Sequence, residues 1–260
     1  MTSVQKRKED SKELEKECFH HPFTMVISGS TGSGKTVWVM RLLKHINSLI
    51  INADECNAIT SIMYCYGELN DTVLNLKRLE TANSNSNNNN EYFKGVTMIK
   101  TINGLPTEDV IQNEAQQSGR RLLLVLDDLM VAAKSSFLDT VFALGSHNWA
   151  VSVVLVTQHL FSKEVKVARN NAHYIVLLRN PAGALQIRNL AGQLFPTQTP
   201  YFMEAYYDAT KEQFSYLLID MHPVTKDALR LKTHIYPEEG WTIVYIPKGA
   251  QNQLNNIGNL

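Results

Sequence analysis

The run Gly29-Ser30-Thr31-Gly32-Ser33-Gly34-Lys35-Thr36 constrains this chain more than any other stretch, because of what stands on either side of it. An apolar segment, residues 23–28, leads into it, and Val37-Trp38-Val39-Met40-Arg41-Leu42-Leu43 leaves it with helical spacing. The chain must therefore pass from strand through a glycine-rich turn into a helix, which is the context that the pattern G-x-x-x-x-G-K-[ST] requires to act as a phosphate-binding loop. Glycines let successive backbone N–H groups curl around an anion, and the helix N-terminus adds positive potential. In that pattern Lys35 reaches the β- and γ-phosphates, and the Thr36 hydroxyl ligates Mg²⁺.

A second run, Arg121-Leu122-Leu123-Leu124-Val125-Leu126-Asp127-Asp128, is apolar without alternation and ends in two carboxylates. Unbroken hydrophobicity is what a parallel strand covered on both faces needs. Beside a phosphate-binding loop, an acid at the carboxyl end of such a strand lies next to the magnesium. Asp127 is accordingly the candidate Mg²⁺ partner, and Asp128 the candidate general base for an attacking water. Residues 151–156 form another buried strand and run into Thr157-Gln158-His159. Ligands of open α/β sheets bind at that strand edge, so Gln158 is the candidate γ-phosphate sensor.

Shorter β-rich runs lie at 62–66, 96–99 and 173–178, and residues 107–117 have helical spacing with Thr107 as N-cap. Residues 214–220 and 229–235 flank a turn-like segment and read as a hairpin extending the sheet. The expected fold is α/β: a P-loop, mostly parallel central sheet flanked by helices, with a C-terminal β-hairpin extension. Residues 21–246 form that domain. Residues 1–20 mix both charge signs with little apolar material and read as a frayed or unstructured arm. Residues 80–92, rich in Asn, read as a disordered surface insertion, and residues 247–260 as a polar tail.

Lys+Arg and Asp+Glu both number 25, so the chain is not globally basic, and any nucleic-acid contact must come from a local patch. One such patch lies between Phe161 and Arg188, where Lys163, Lys166, Arg169, Arg179 and Arg188 face the single acid Glu164. It reads either as a solvated face or as phosphate contacts with Arg169 as a finger toward a neighbouring subunit's nucleotide. Three cysteines, Cys18, Cys56 and Cys65, have neither zinc-site nor disulfide-framework spacing, which suits a reducing, intracellular setting. No apolar segment approaches membrane-spanning length.

Read in order, the phosphate loop, the Leu-Asp-Asp strand end, Gly145-Ser146-His147-Asn148, Val156-Thr157-Gln158, Tyr174-Ile175-Val176-Leu177-Leu178-Arg179-Asn180-Pro181 and Leu190-Ala191-Gly192-Gln193-Leu194-Phe195-Pro196 carry a resemblance. Over roughly residues 22 to 237 the chain resembles the FtsK/HerA superfamily of P-loop translocases, and most closely the genome-packaging ATPases of Polinton/Maverick-type viruses and adintovirus-like elements. The resemblance implies a RecA-like form of the P-loop core, ATP as fuel, a homo-oligomeric ring of five or six subunits, double-stranded DNA as the translocated substrate and capsid proteins as partners. It also implies a location in the host nucleus or a viral factory, at the capsid vertex. In one respect the sequence departs from the cellular members, which usually place Glu after the magnesium-side Asp; here Asp128 is one methylene shorter. Arg179 and Arg188 compete with Arg169 as the finger. The rival functions are a nucleotide or small-molecule kinase and a non-hydrolysing ATP-binding assembly factor. The first needs an acceptor pocket and a lid, and the second has no use for a water-positioning acid.

Overall fold

The computed structural model of the 260-residue chain describes residues 4–8, 18–51, 53, 58–84, 92–129, 135–145 and 148–248. Its frame is one ten-stranded sheet. Six strands run parallel in the order β7 (Tyr174–Leu178), β2 (Thr24–Ser28), β6 (Val151–Thr157), β5 (Leu122–Asp127), β3 (Ser61–Tyr66), β4 (Met98–Asn103). Every residue of β2, β3, β5, β6 and β7 is buried, in keeping with their largely apolar sequences.

Helices cover both faces of this sheet. On one, α1 (Lys35–Leu49) turns Trp38, Val39, Leu42, Leu43, Ile46 and Leu49 inward at three- and four-residue spacing, and α2 (Asp71–Ser84) packs Val73 and Leu76 beside it. The other face is covered by α3 (Glu108–Gln117), α4 (Ser135–Thr140, running into a π-turn at Val141–Gly145), α5 (Lys166–Asn170), α6 (Ala184–Leu194) and α7 (Thr199–Ala209). Thr107 caps α3 as expected, its hydroxyl accepting from Val110 N.

Beyond β7 the sheet turns antiparallel through β8 (Tyr216–Asp220), β9 (Leu231–Thr233), β10 (Ile243–Pro247) and β1 (Val4–Lys8). The expected hairpin is β8–β9, and it is only half of this extension. The N-terminal arm needs correcting in two places. Val4–Lys8 pairs with β10 from Val4 opposite Pro247 to Lys8 opposite Ile243, and the core starts at Cys18 and Phe19, not near Pro22. Both of those N–H groups donate to the Leu49 carbonyl at 2.8 Å, which docks the segment on the end of α1.

The expected insertion also shrinks. Residues 81–84 complete α2, where Thr81 Oγ1 donates to the Lys77 carbonyl at 2.9 Å and Glu80 accepts from both the backbone and the hydroxyl of Thr101 on β4. Phe93 is fully buried. Of the expected insertion, residues 85–91 lie outside the described residues, as do residues 249–260 of the tail.

Candidate nucleotide-binding and catalytic site

Residues 29–36 connect β2 to α1 at the carboxyl edge of the parallel strands. Gly29 is forced by space: a Cβ there would stand 2.5 Å from Ser33 Oγ and 2.8 Å from Leu178 Cβ. Gly34 is forced by conformation, because the residue that starts α1 has φ 99°, in the left-handed region. As N-cap it offers no side chain to the first turn of the helix, so those N–H groups are left for an external acceptor. Among the described residues the buried Ser33 hydroxyl also lacks a hydrogen-bond partner. Unmet donors around a tight turn fit an anion.

The loop is pinned on both flanks. Toward β7, Ser30 N and Oγ donate to the Arg179 carbonyl at 3.4 and 3.0 Å. Toward β6, Thr31 Oγ1 donates to Gln158 Oε1 at 2.9 Å. Lys35 Nζ turns back over the loop and donates to the Gly29 and Ser30 carbonyls, both at 2.9 Å. Burial lowers the Lys35 pKa, opposed by the nearby charges of Asp128 and then Asp127. A phosphate would add to the negative charge that favours this half-buried ammonium.

The acids arrive by strand register. β6 lies between β2 and β5, with Ser28 opposite Thr157 and Val156 opposite Asp127. Gly29, Gln158 and Asp128 therefore all step off the sheet at one edge. Asp127 is 7% exposed, and Tyr64 donates to its Oδ2 at 2.5 Å. Burial raises the Asp127 pKa; the Tyr64 hydrogen bond opposes this, Asp128 adds to it, and Lys35 opposes it. The Tyr64 phenol is itself pushed well up by burial and by Asp127, so it remains a donor. Asp128 is exposed and has φ 52°, a turn that lifts its side chain off the strand end.

The Thr36 hydroxyl and the Asp127 carboxylate are hard oxygen ligands of the kind Mg²⁺ takes. Among the described residues no group of three His, Cys, Asp or Glu side chains could hold a metal ion. Mg²⁺ bound through one or two protein oxygens together with substrate phosphates and water needs no such group, so the residues present fit it.

Arg169 lies elsewhere. Its Nη1 donates to the Leu160 carbonyl at 2.8 Å, its guanidinium stacks on Phe161 at 4.4 Å, and burial lowers its pKa. Two residues on, the Asn171 carbonyl accepts from Thr24, the first residue of β2, so the backbone after α5 returns to the edge opposite the phosphate loop while the guanidinium reaches back to the turn that follows Gln158. Arg179 stands at the loop, and Arg188 is exposed on α6. Lys163 and Lys166 are exposed. Gly145 closes the π-turn after α4, and Ser146 and His147 lie outside the described residues.

Two participants are not legible from motif spacing. Tyr64 is the partner of Asp127 because β3 runs beside β5. Phe214, just before β8, packs on Gly34, where a Cβ would meet its Cδ1 at 2.5 Å.

No family model matches the sequence, and no curated protein matches it. Solved structures do. A KaiC-like protein from the archaeon Pyrococcus horikoshii aligns with a TM-score of 0.42 at 12% identity, over 87% of this chain and 91% of that one. EssC (ATPases 2 and 3) from Geobacillus thermodenitrificans aligns at 0.42 and 11%, over 91% of this chain and 42% of that one. The cytoplasmic domain of the type VII secretion ATPase EccC from Thermomonospora curvata aligns at 0.47 and 13%, over 87% and 25%. The chain is thus similar in backbone to these proteins, and spans under half the length of the latter two.

Proposed function

We propose that this chain is an ATP-hydrolysing motor that moves double-stranded DNA, packaging a viral or virus-like genome into a capsid. The observation that carries the enzymatic part is the meeting of three elements at one sheet edge: the phosphate loop after β2, the Asp127-Asp128 pair after β5, and Gln158 on the strand between them. In this reading Lys35 and the loop amides hold the triphosphate, Thr36 and Asp127 hold its Mg²⁺, Asp128 accepts a proton from the attacking water, and Gln158 reads the terminal phosphate. A bound Mg²⁺ would neutralise charge developing on the phosphate oxygens. The DNA, ring and capsid parts of the proposal are supported by the ordered motifs of the translocase resemblance.

Steady-state ATP hydrolysis with Mg²⁺, with and without linear double-stranded DNA, tests the proposal. Turnover stimulated by DNA and lost in Lys35→Ala and Asp128→Asn is the expected result. Turnover that persists in Lys35→Ala overturns the site, and turnover indifferent to DNA overturns the motor.

A further inference from the structure

The phosphate-loop reading fixes a direction along the site. Asp127, Asp128 and Gln158 all lie on the β5–β6 side of β2, so the terminal phosphate points that way. The remainder of a bound nucleotide must then extend across the start of α1 toward β7 and β8.

On that side stands Phe214. Its ring covers Gly34, and its side chain remains 41% exposed, large for an aromatic at the start of a buried strand. Its backbone has φ 62°, a region that bulky residues avoid and that Gly or Asn would occupy with less strain. A strained aromatic kept at the rim of a ligand cradle points to a use for the ring. The mount is rigid. Ser215 N and Oγ both donate to the Glu212 carbonyl, at 3.3 and 2.7 Å. Tyr216, the next residue, is fully buried, packs edge-on against Trp38 of α1 at 5.6 Å and donates to Glu239 at 2.8 Å. Val37, in the first turn of α1, is 45% exposed and leaves a second apolar side chain open at the start of that helix.

We propose that Phe214 is the base-stacking platform of the nucleotide site, with the purine of a nucleoside triphosphate lying on its exposed face. The proposal rests on the phosphate-loop reading and adds to it the end of the ligand which that loop does not recognise. Stacking is tolerant of base identity but grows with ring area, so purines are favoured over pyrimidines without strong choice among purines.

Calorimetric titration of ATP, CTP and inorganic tripolyphosphate, each with Mg²⁺, into the full chain and its Phe214→Gly and Phe214→Trp variants tests this. Glycine suits the left-handed backbone, so the first variant removes the ring without straining the fold. The expected result is that Phe214→Gly weakens ATP about tenfold and abolishes the preference over CTP, leaves tripolyphosphate unchanged, and that Phe214→Trp restores ATP binding. Unchanged ATP affinity in Phe214→Gly overturns the platform. Equal loss of ATP and tripolyphosphate also overturns it, since Phe214 would then only support the loop. If the unmodified protein binds neither ligand, or Lys35→Ala binds tripolyphosphate as tightly as the parent, the phosphate-loop reading itself fails.

Discussion

At the residue scale the site is a set of charges held in places that do not favour charge. Asp127 shows this best, because burial raises its pKa in spite of the Tyr64 hydrogen bond. A carboxyl with a folded pKa above its unfolded value binds its proton more tightly when folded. Its ionisation therefore costs stability as pH rises from the unfolded value, about 3.9, through the folded one. Asp127→Asn, which keeps an acceptor for Tyr64, should stabilise the protein at neutral pH by on the order of 1 kcal/mol while abolishing turnover. The gain should vanish as pH falls below the unfolded value; urea melts at several pH values would show whether it does. Tyr64→Phe removes the influence that most lowers the Asp127 pKa, so the acidic limb of the pH–activity profile should move to higher pH. A limb that does not move would mean that another group controls it. The acids themselves were legible in the sequence, less from the Asp-Asp strand end alone, which could equally cap a following helix, than from its joining to a phosphate-loop pattern upstream. Tyr64 was not, because its role depends on which strand lies beside β5. The left-handed turns at Asp128 and Phe214 were not legible either, since Asp adopts that conformation only at a minority of its positions and Phe more rarely still.

At the element scale, α1 places the loop and the antiparallel extension holds α1. Trp38, Tyr216 and Tyr236 meet edge to face at 5.6 to 6.0 Å, and Tyr236 donates to the Trp38 carbonyl at 3.1 Å. Arg41 stacks on Tyr236 at 4.3 Å and pairs with Glu238 and Glu239 at 3.0 and 2.9 Å. Removing the indole leaves a large void beside the loop, so Trp38→Ala should lose about 4 kcal/mol in denaturant unfolding. Nucleotide binding should fall with it, because Gly34 and Trp38 share the first turn of α1. Elements with one dominant period were readable from the sequence: β5 by its unbroken apolar run, β6 by an apolar run that only Ser152 interrupts, α1 by its spacing. Others depend on distant partners. β1 is a charged pentapeptide whose place in the sheet comes from β10, and residues 81–84 are polar yet helical because α2 continues past the Glu80–Thr101 contact. Helix α7, which the sequence reading passed over, buries Tyr201, Phe202, Ala205, Tyr206 and Ala209 along one apolar face.

At the scale of the whole molecule, the three candidate finger arginines separate by position. Arg179 gives its carbonyl to Ser30 and so belongs to its own loop, whereas Arg169 lies on α5, in the segment that connects β6 to β7. Among the described residues no hydrogen bond joins its guanidinium to its own phosphate loop, and in the proposed ring it would serve a neighbour's nucleotide. Arg169 is held by the Leu160 carbonyl and Phe161, and these contacts fix the direction in which it is presented. The ring proposal therefore makes a demand that no single-chain enzyme meets. Arg169→Ala should bind ATP as tightly as the parent yet turn over at least about a hundredfold more slowly, and Lys35→Ala should be inactive for want of nucleotide. Mixed together, the two inactive proteins should regain activity, because a Lys35→Ala subunit still offers an intact Arg169 to a nucleotide held by its neighbour. Recovery should rise and then fall with the mixing ratio, peaking where unlike neighbours are commonest. A flat, inactive series from subunits shown by sedimentation to mix would remove Arg169 from the reaction. Activity in Arg169→Ala alone would do the same, and either result would leave the exposed Arg188 on α6 to be tested in its place.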